Sequence, residues 1–567
     1  RLFITIICVC YTEITFLTDV TVRVAQGAVE GYLADDGRYH AFYGIPYAGP
    51  TTGENRFKGP TPASSFGEEV FRANDTGILC AQFGSNGLVG KEDCLTINVF
   101  TDNIGTNTTL KPVIVWLTGE EYKTSNPLQY SFKNFIDFNL IAVTLNYRLS
   151  VFGFLCLGIE EAPGNAGLKD VIQGLEWVQQ NIEAFGGDPN NVVLMGHGSG
   201  AAMVDLITLS QKANGLVHKA ILHSGSAMAP WAVSYDPVGS ARALANRLGF
   251  VANNRRGIAE LLSSATTNEM ITAMRTFQQP YNNTVMFAPC VEDAELNSED
   301  VVLDKAPFEL FESAEYLHIP QIYVYTDKEG TIRHNNIVNG QWLQRMDTQF
   351  ESFLPVDLDL SNLNETEKAT HALSVRQFYF GDNTINSNSI EQYFDYHGDT
   401  AIIVPVLRSA ILRSWKSTSS NRVLEFKYIR TTSDTEPTIT TGVPHGGILN
   451  FIFNVNLGRQ DVRIMRSIMQ KYTAFIYTGE TDYDNHRISW LPINTNLRHY
   501  ITIAGGNLET PGLWRASWAL QNNPHEPNFG FWENLYEEHY WMPTSPSSAA
   551  RAMVSIALLF SLVLALF

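Results

Sequence analysis

Apolar positions along this chain come in two rhythms. Largely apolar runs at residues 112–117, 140–145, 192–195 and 321–325 are short and flanked by Pro, Asn, Gly, Lys or Thr. Runs of that length and composition predict strands buried on both faces. Residues 219–225 predict another strand entering a turn. The second rhythm occupies residues 166–185, where Leu168, Val171, Ile172, Leu175, Val178 and Ile182 recur at near-helical spacing. A helix is predicted there, stopped by Gly186, Gly187, Asp188 and Pro189. Strand and helix alternate without repeats or low-complexity tracts, which predicts an α/β fold on a large, mostly parallel mixed sheet flanked by helices. No linker interrupts residues 20–538, so they read as one domain, and composition changes only after Tyr540.

The two ends carry a different pattern. Behind Arg1, which stands where a Met would open a complete start, an apolar run at residues 2–10 resembles the core of a secretory signal, expected over residues 1–18. At the other end residues 552–567 are apolar and uncharged, preceded by small residues at 544–550 within a short polar spacer, 540–551. That order suits a GPI signal, with a short tail anchor or a docked apolar helix as alternatives. The first two readings place the body outside the cell, either held on the membrane or secreted.

A net charge of −19 argues against nucleic-acid binding, which leaves a basic footprint. Sequons at Asn74, Asn107, Asn282 and Asn364 favour secretion. Cys80 and Cys94 bracket a Gly- and Asn-containing loop that a disulfide could close in an oxidising compartment. Cys156 lies in the apolar run 152–157 and reads as a buried free thiol; Cys290 is left without an assigned role.

The chemistry centres on residues 192–202, a strand, a glycine-rich turn and a helix. This is the setting of a nucleophile elbow, G-x-S-x-G, with Gly196 and Gly200 at its outer positions. The central position holds Gly198 instead of serine. Ser199 is one residue late, and an elbow centred on it would need glycines where His197 and Ala201 stand. No H-E-x-x-H or C-x-x-C pattern occurs, so neither a metal nor a cofactor is expected.

Many separate segments, in order, resemble the type-B carboxylesterase and cholinesterase family. They include Glu92, Asp93, Cys94 and Leu95; Asn146, Tyr147, Arg148 and Leu149; residues 163–170; residues 184–189; residues 221–226; and Gly442, Val443, Pro444, His445 and Gly446. The resemblance covers roughly residues 20–538 and implies an α/β-hydrolase fold with a Cys80–Cys94 disulfide. It also implies a nucleophile at position 198, an acid at Glu329 and a base at His445, with oxyanion donors around Gly119, Glu120 and Ser199. The run Thr118, Gly119, Glu120, Glu121, Tyr122 departs from the family's glycine-rich oxyanion loop, and Gly447 and Ile448 depart from its usual acidic residue after the histidine. Loss of the nucleophile and of oxyanion donors each removes useful turnover. The expectation is therefore a catalytically silent, cholinesterase-like protein that binds an extracellular protein partner, as in the neuroligin, gliotactin, neurotactin and glutactin group. Two alternatives stand beside it: an active ester hydrolase using Ser199 or a rearranged elbow, and a carrier of small apolar ligands in the old pocket. The family's pairing through late helices leaves a homodimer open, with residues 529–540 either at that interface or in the core.

Overall fold

The computed structural model describes residues 19–547 except 106–108, 253, 297–299, 339–340, 431–439, 482–488 and 506–516. The signal (1–18), the apolar tail (552–567), the last part of the spacer and Asn107 lie outside the described residues.

Thirteen strands form one mixed sheet among the described residues. Its centre is a parallel series: Ile141–Leu145, Lys111–Leu117, Gly187–His197, Lys219–His223, Gln321–Thr326, Asn421–Tyr428 and Tyr500–Gly505. Antiparallel strands extend both edges, with Thr96–Thr101 beside Ile141–Leu145 and Ser517–Gln521 beside Tyr500–Gly505. Every apolar run read as a strand lies in the parallel series. They are continuous runs because both sheet faces are covered. In Lys111–Leu117, Val113, Val115 and Leu117 enter one core cluster while Ile114 and Trp116 enter the other. Val192 and Leu194 likewise face one side, Val193 and Met195 the opposite side. This is the two-residue period of a strand with apolar partners above and below.

The helices supply those partners. Ala166–Asn181 packs Leu168, Val171, Leu175 and Val178 on one face. Arg459–Thr478 packs Ile468, Met469, Tyr472 and Phe475 on the other. The predicted 166–185 helix is α-helical as far as Asn181 and then tightens into a 3₁₀ turn, Ile182–Phe185. Helix Asn528–His539 buries Phe529, Trp532 and Tyr536 completely or nearly so, which places that aromatic stripe in the core.

Cys80 and Cys94 form a disulfide, as the family resemblance implied. Cys156 corrects the sequence reading: it is bonded to Cys290, 134 residues away, and is no free thiol. Nothing near either cysteine signals the pairing. Asn165 brings the segments together: its side-chain amide donates to the Cys290 carbonyl, and the Cys290 N–H donates back to its Oδ1.

Asn74 and Asn364 are exposed, and Asn282 is half-buried. No helix among the described residues is long and apolar enough to cross a membrane.

Candidate active site

The elbow is present in full geometry. Strand Gly187–His197 runs into Gly198, whose φ of 56° and ψ of −124° turn the chain sharply into helix Ser199–Leu209. The turn is so tight that a Cβ on Gly196 would sit 2.6 Å from the Gly200 backbone, and one on Gly200 would sit 2.3 Å from the Leu117 carbonyl oxygen. Glycine is required at both positions because no side chain fits the approach. Gly198 is different: a Cβ there would have 3.1 Å to the Gly119 carbonyl and 3.5 Å to a carboxylate oxygen of Glu120.

Glu329 and His445, expected as acid and base, lie in direct contact. Glu329, fully buried after strand Gln321–Thr326, accepts a 2.5 Å hydrogen bond at Oε2 from His445 Nδ1. Its other oxygen accepts from the Ser224 hydroxyl at 2.6 Å and the Thr326 N–H at 2.7 Å. The His445 backbone is fixed by donating to Thr331 Oγ1 at 2.8 Å. Burial would raise the Glu329 pKa, but His445 and the donors outweigh it and hold it below the usual range. Burial would likewise lower that of His445, yet Glu329 and Glu120 raise it to about 10.

The Glu120 carboxylate lies beside position 198, 3.5 Å from where a Cβ on Gly198 would be. Its Oε1 lies 3.5 Å from His197 Nδ1 and its Oε2 lies 3.9 Å from His445 Nε2. Burial alone would raise this carboxyl's pKa; the two imidazoles outweigh it and hold it well below the ordinary value. The oxyanion loop around it is rearranged. Glu121 and Tyr122 have φ of 50° and 57°, a region non-glycine residues seldom enter. The Glu120 N–H, expected to face an oxyanion, donates instead to the Thr124 carbonyl at 2.9 Å. Glu121 turns away from Glu120 and pairs with Arg333 at 2.5 Å and Lys123 at 2.7 Å. Burial opposes its ionisation, but these cations prevail and lower its pKa to about 2.

Ser199 is buried, and its Oγ accepts a 3.1 Å hydrogen bond from the Tyr122 N–H. It is committed to holding the loop, and His445 is not among its hydrogen-bond partners. The structure thus brings together Gly198, Glu329, His445, Gly119 and Glu120, with the Ser199 hydroxyl beside Gly119 but engaged by the Tyr122 N–H. Sequence reasoning passed over His197, which it used only to argue against an elbow centred on Ser199. The His197 ring centre lies 4.6 Å from that of His445. Its position directly before Gly198 was the available signal. A cavity of about 450 Å³ opens beside Lys123 and Gln279, lined by Phe83, Met274, Phe277 and Met286. It adjoins Glu121 through those two polar residues, and neither Gly198 nor His445 lines it.

Residues 18–532 match the profile of the carboxylesterase family. A carboxylic ester hydrolase of Bombus ignitus is 28% identical over 537 residues, covering 91% of this chain and 94% of that protein. Esterase FE4 of Myzus persicae is 29% identical over 510 residues, covering 86% and 89%. Among solved structures, juvenile hormone esterase from Manduca sexta with OTFP covalently attached superposes with a TM-score of 0.78 at 23% identity, covering 91% of this chain and 99% of that one. These proteins carry esterase names, and none of the three belongs to the adhesion group that the sequence suggested. With the α/β-hydrolase sheet, the elbow and the Glu329–His445 pair in place, the match over nearly the whole described chain settles its kinship: it belongs to the carboxylesterase family.

Proposed function

We propose that this carboxylesterase-family protein does not pass through an acyl-serine intermediate, and that it acts outside the cell by binding. One observation carries the reading: the Glu120 carboxylate stands 3.5 Å from where a Cβ on Gly198 would be, beside the place of the expected nucleophile. An anion at that place opposes the charge that develops on a carbonyl oxygen during acyl transfer. The tied-up Glu120 N–H and the loop-bound Ser199 hydroxyl support the same reading. Two disulfides and exposed sequons at Asn74 and Asn364 support an extracellular setting, where a protein partner would be met.

A serine-reactive organophosphate followed by peptide mass spectrometry tests the proposal. No adduct on Ser199, and no burst of leaving group from short-chain aryl esters, is the expected result. A stoichiometric adduct at Ser199 overturns it.

A second reading is ester hydrolysis without an acyl-enzyme. The intact 2.5 Å His445–Glu329 hydrogen bond and the esterase names of the relatives favour it. Steady turnover that survives Ser199→Ala but is lost in His445→Asn would select this reading over a purely binding role.

A further inference from the structure

Three segments far apart in the chain deliver potential metal ligands to one point. Glu120 comes from the loop after strand Lys111–Leu117, His197 from the end of strand Gly187–His197, and His445 from the loop beyond Thr440. One ligand atom from each lies within 4.8 Å of the other two. Glu120 Oε1 stands 3.5 Å from His197 Nδ1 and Glu120 Oε2 stands 3.9 Å from His445 Nε2, so the carboxylate faces both rings at separations near the roughly 3.3 Å edge of a tetrahedral site with bonds of about 2.0–2.1 Å. Small side-chain rotations would close the remainder.

Two further observations favour a ligand here over a passive cluster. His445 Nε2, the ring nitrogen nearest Glu120, is buried and makes no hydrogen bond, although an orphaned buried ring nitrogen is costly; His197 faces Glu120 with Nδ1, and its other nitrogen, Nε2, is also unpartnered. The side chains are only 6% and 9% exposed. His445 is also oriented as metal-binding histidines are, with its other nitrogen held by a buried carboxylate, Glu329. That carboxylate is itself anchored by Ser224 and Thr326. Gly198 contributes by having no side chain, which leaves the centre of the cluster free. Glu120 keeps 52% of its side-chain surface accessible, so an ion can reach the site from solvent.

From this geometry we infer that Glu120, His197 and His445 form a binding site for a first-row divalent ion of the Zn²⁺ class. Two imidazoles and one carboxylate suit that class of ion, and three protein ligands leave a fourth position open to water or to an oxygen of a bound molecule. Such a site goes beyond the binding role proposed above and does not depend on it, because metal affinity can be read without any ester substrate.

The test uses the full-length protein, freed of metal with a chelator and titrated with Zn²⁺ by calorimetry and with Co²⁺ by visible absorption. Binding of one Zn²⁺ per chain at micromolar or tighter affinity is expected, with Co²⁺ producing the d–d bands of a four- or five-coordinate N/O site. Glu120→Ala and His197→Asn should each weaken Zn²⁺ binding by more than about 100-fold. Glu329→Gln should weaken it by about 10- to 100-fold, through lost orientation of His445. His499→Ala, at a half-buried histidine elsewhere, should change nothing. Absence of stoichiometric Zn²⁺ binding, or binding indifferent to Glu120→Ala and His197→Asn, overturns the site. Circular dichroism checks that each variant is folded. If one is not, the Co²⁺ spectrum of the unmodified protein decides alone: no d–d bands means no site.

Discussion

At position 198 the missing side chain and the neighbouring carboxylate act together. Gly198 offers no hydroxyl, and Glu120 stands 3.5 Å from where its Cβ would be. Restoring the serine alone therefore restores nothing. Gly198→Ser should show no organophosphate adduct and no measurable aryl-ester turnover, because its hydroxyl would meet the Glu120 carboxylate and the Gly119 carbonyl. Combining it with Glu120→Gly should permit labelling, and labelling of the single variant would show that Glu120 can swing aside. His223 sets a second residue-scale expectation. It is fully buried between the Gly196 carbonyl and the Tyr472 hydroxyl. Burial chiefly, with His197 nearby, pushes its pKa down to about 3. In the unfolded chain it titrates near 6.5, so protons favour unfolding between these values. Its contribution is complete above about pH 6.5 and is lost as pH falls toward 3, on the order of a few kcal/mol. Thermal melts across that range should flatten in His223→Gln relative to the unmodified protein.

Among the elements, local patterning carried far. The five strand segments read from apolar runs sit in the parallel centre of the sheet, because burial on both faces makes nearly every position apolar and leaves a recognisable run. The elbow was equally legible from its short glycine motif, although only Gly196 answers to a contact a few residues away and Gly200 answers to Leu117 on the neighbouring strand. Gly200→Ala should cost at least 1–3 kcal/mol in chemical denaturation, the usual range for overpacking, because the new methyl would meet the Leu117 carbonyl. The link between Cys156 and Cys290 escaped notice because it joins a loop near the start of the sheet to one 134 residues later. Cys156→Ser should lower stability by about 2–5 kcal/mol, the usual cost of losing a native disulfide. Equal denaturation midpoints for the two forms would contradict that.

In the molecule as a whole, charges buried between layers tie the helices to the sheet. Asp205 of helix Ser199–Leu209 and Arg413 of helix Val404–Lys416 pair at 3.0 Å with both side chains fully buried. Arg413 also donates to the Tyr323 hydroxyl from strand Gln321–Thr326. This cluster anchors the helix that follows the elbow. Arg413→Met should destabilise the protein by roughly 3–5 kcal/mol, since it strands the Asp205 charge in the core. An unchanged melting temperature would show that Asp205 finds another partner.

The amino-acid sequence by itself determined the fold class, the run of central strands, the elbow, the positions of Glu329 and His445, and the absence of a nucleophile at Gly198. Each of these rests on local periodicity, on a short motif or on resemblance in serial order. Tertiary structure alone decided where the two altered loop residues point: Glu120 into the site and Glu121 toward Arg333 and Lys123. It alone brought His197 against His445, bound Ser199 to the loop, and joined Cys156 to Cys290. The physical reason is common to all of them. A carboxylate's direction is set by cations and clashes contributed from other segments, and spacing along the chain does not encode those neighbours.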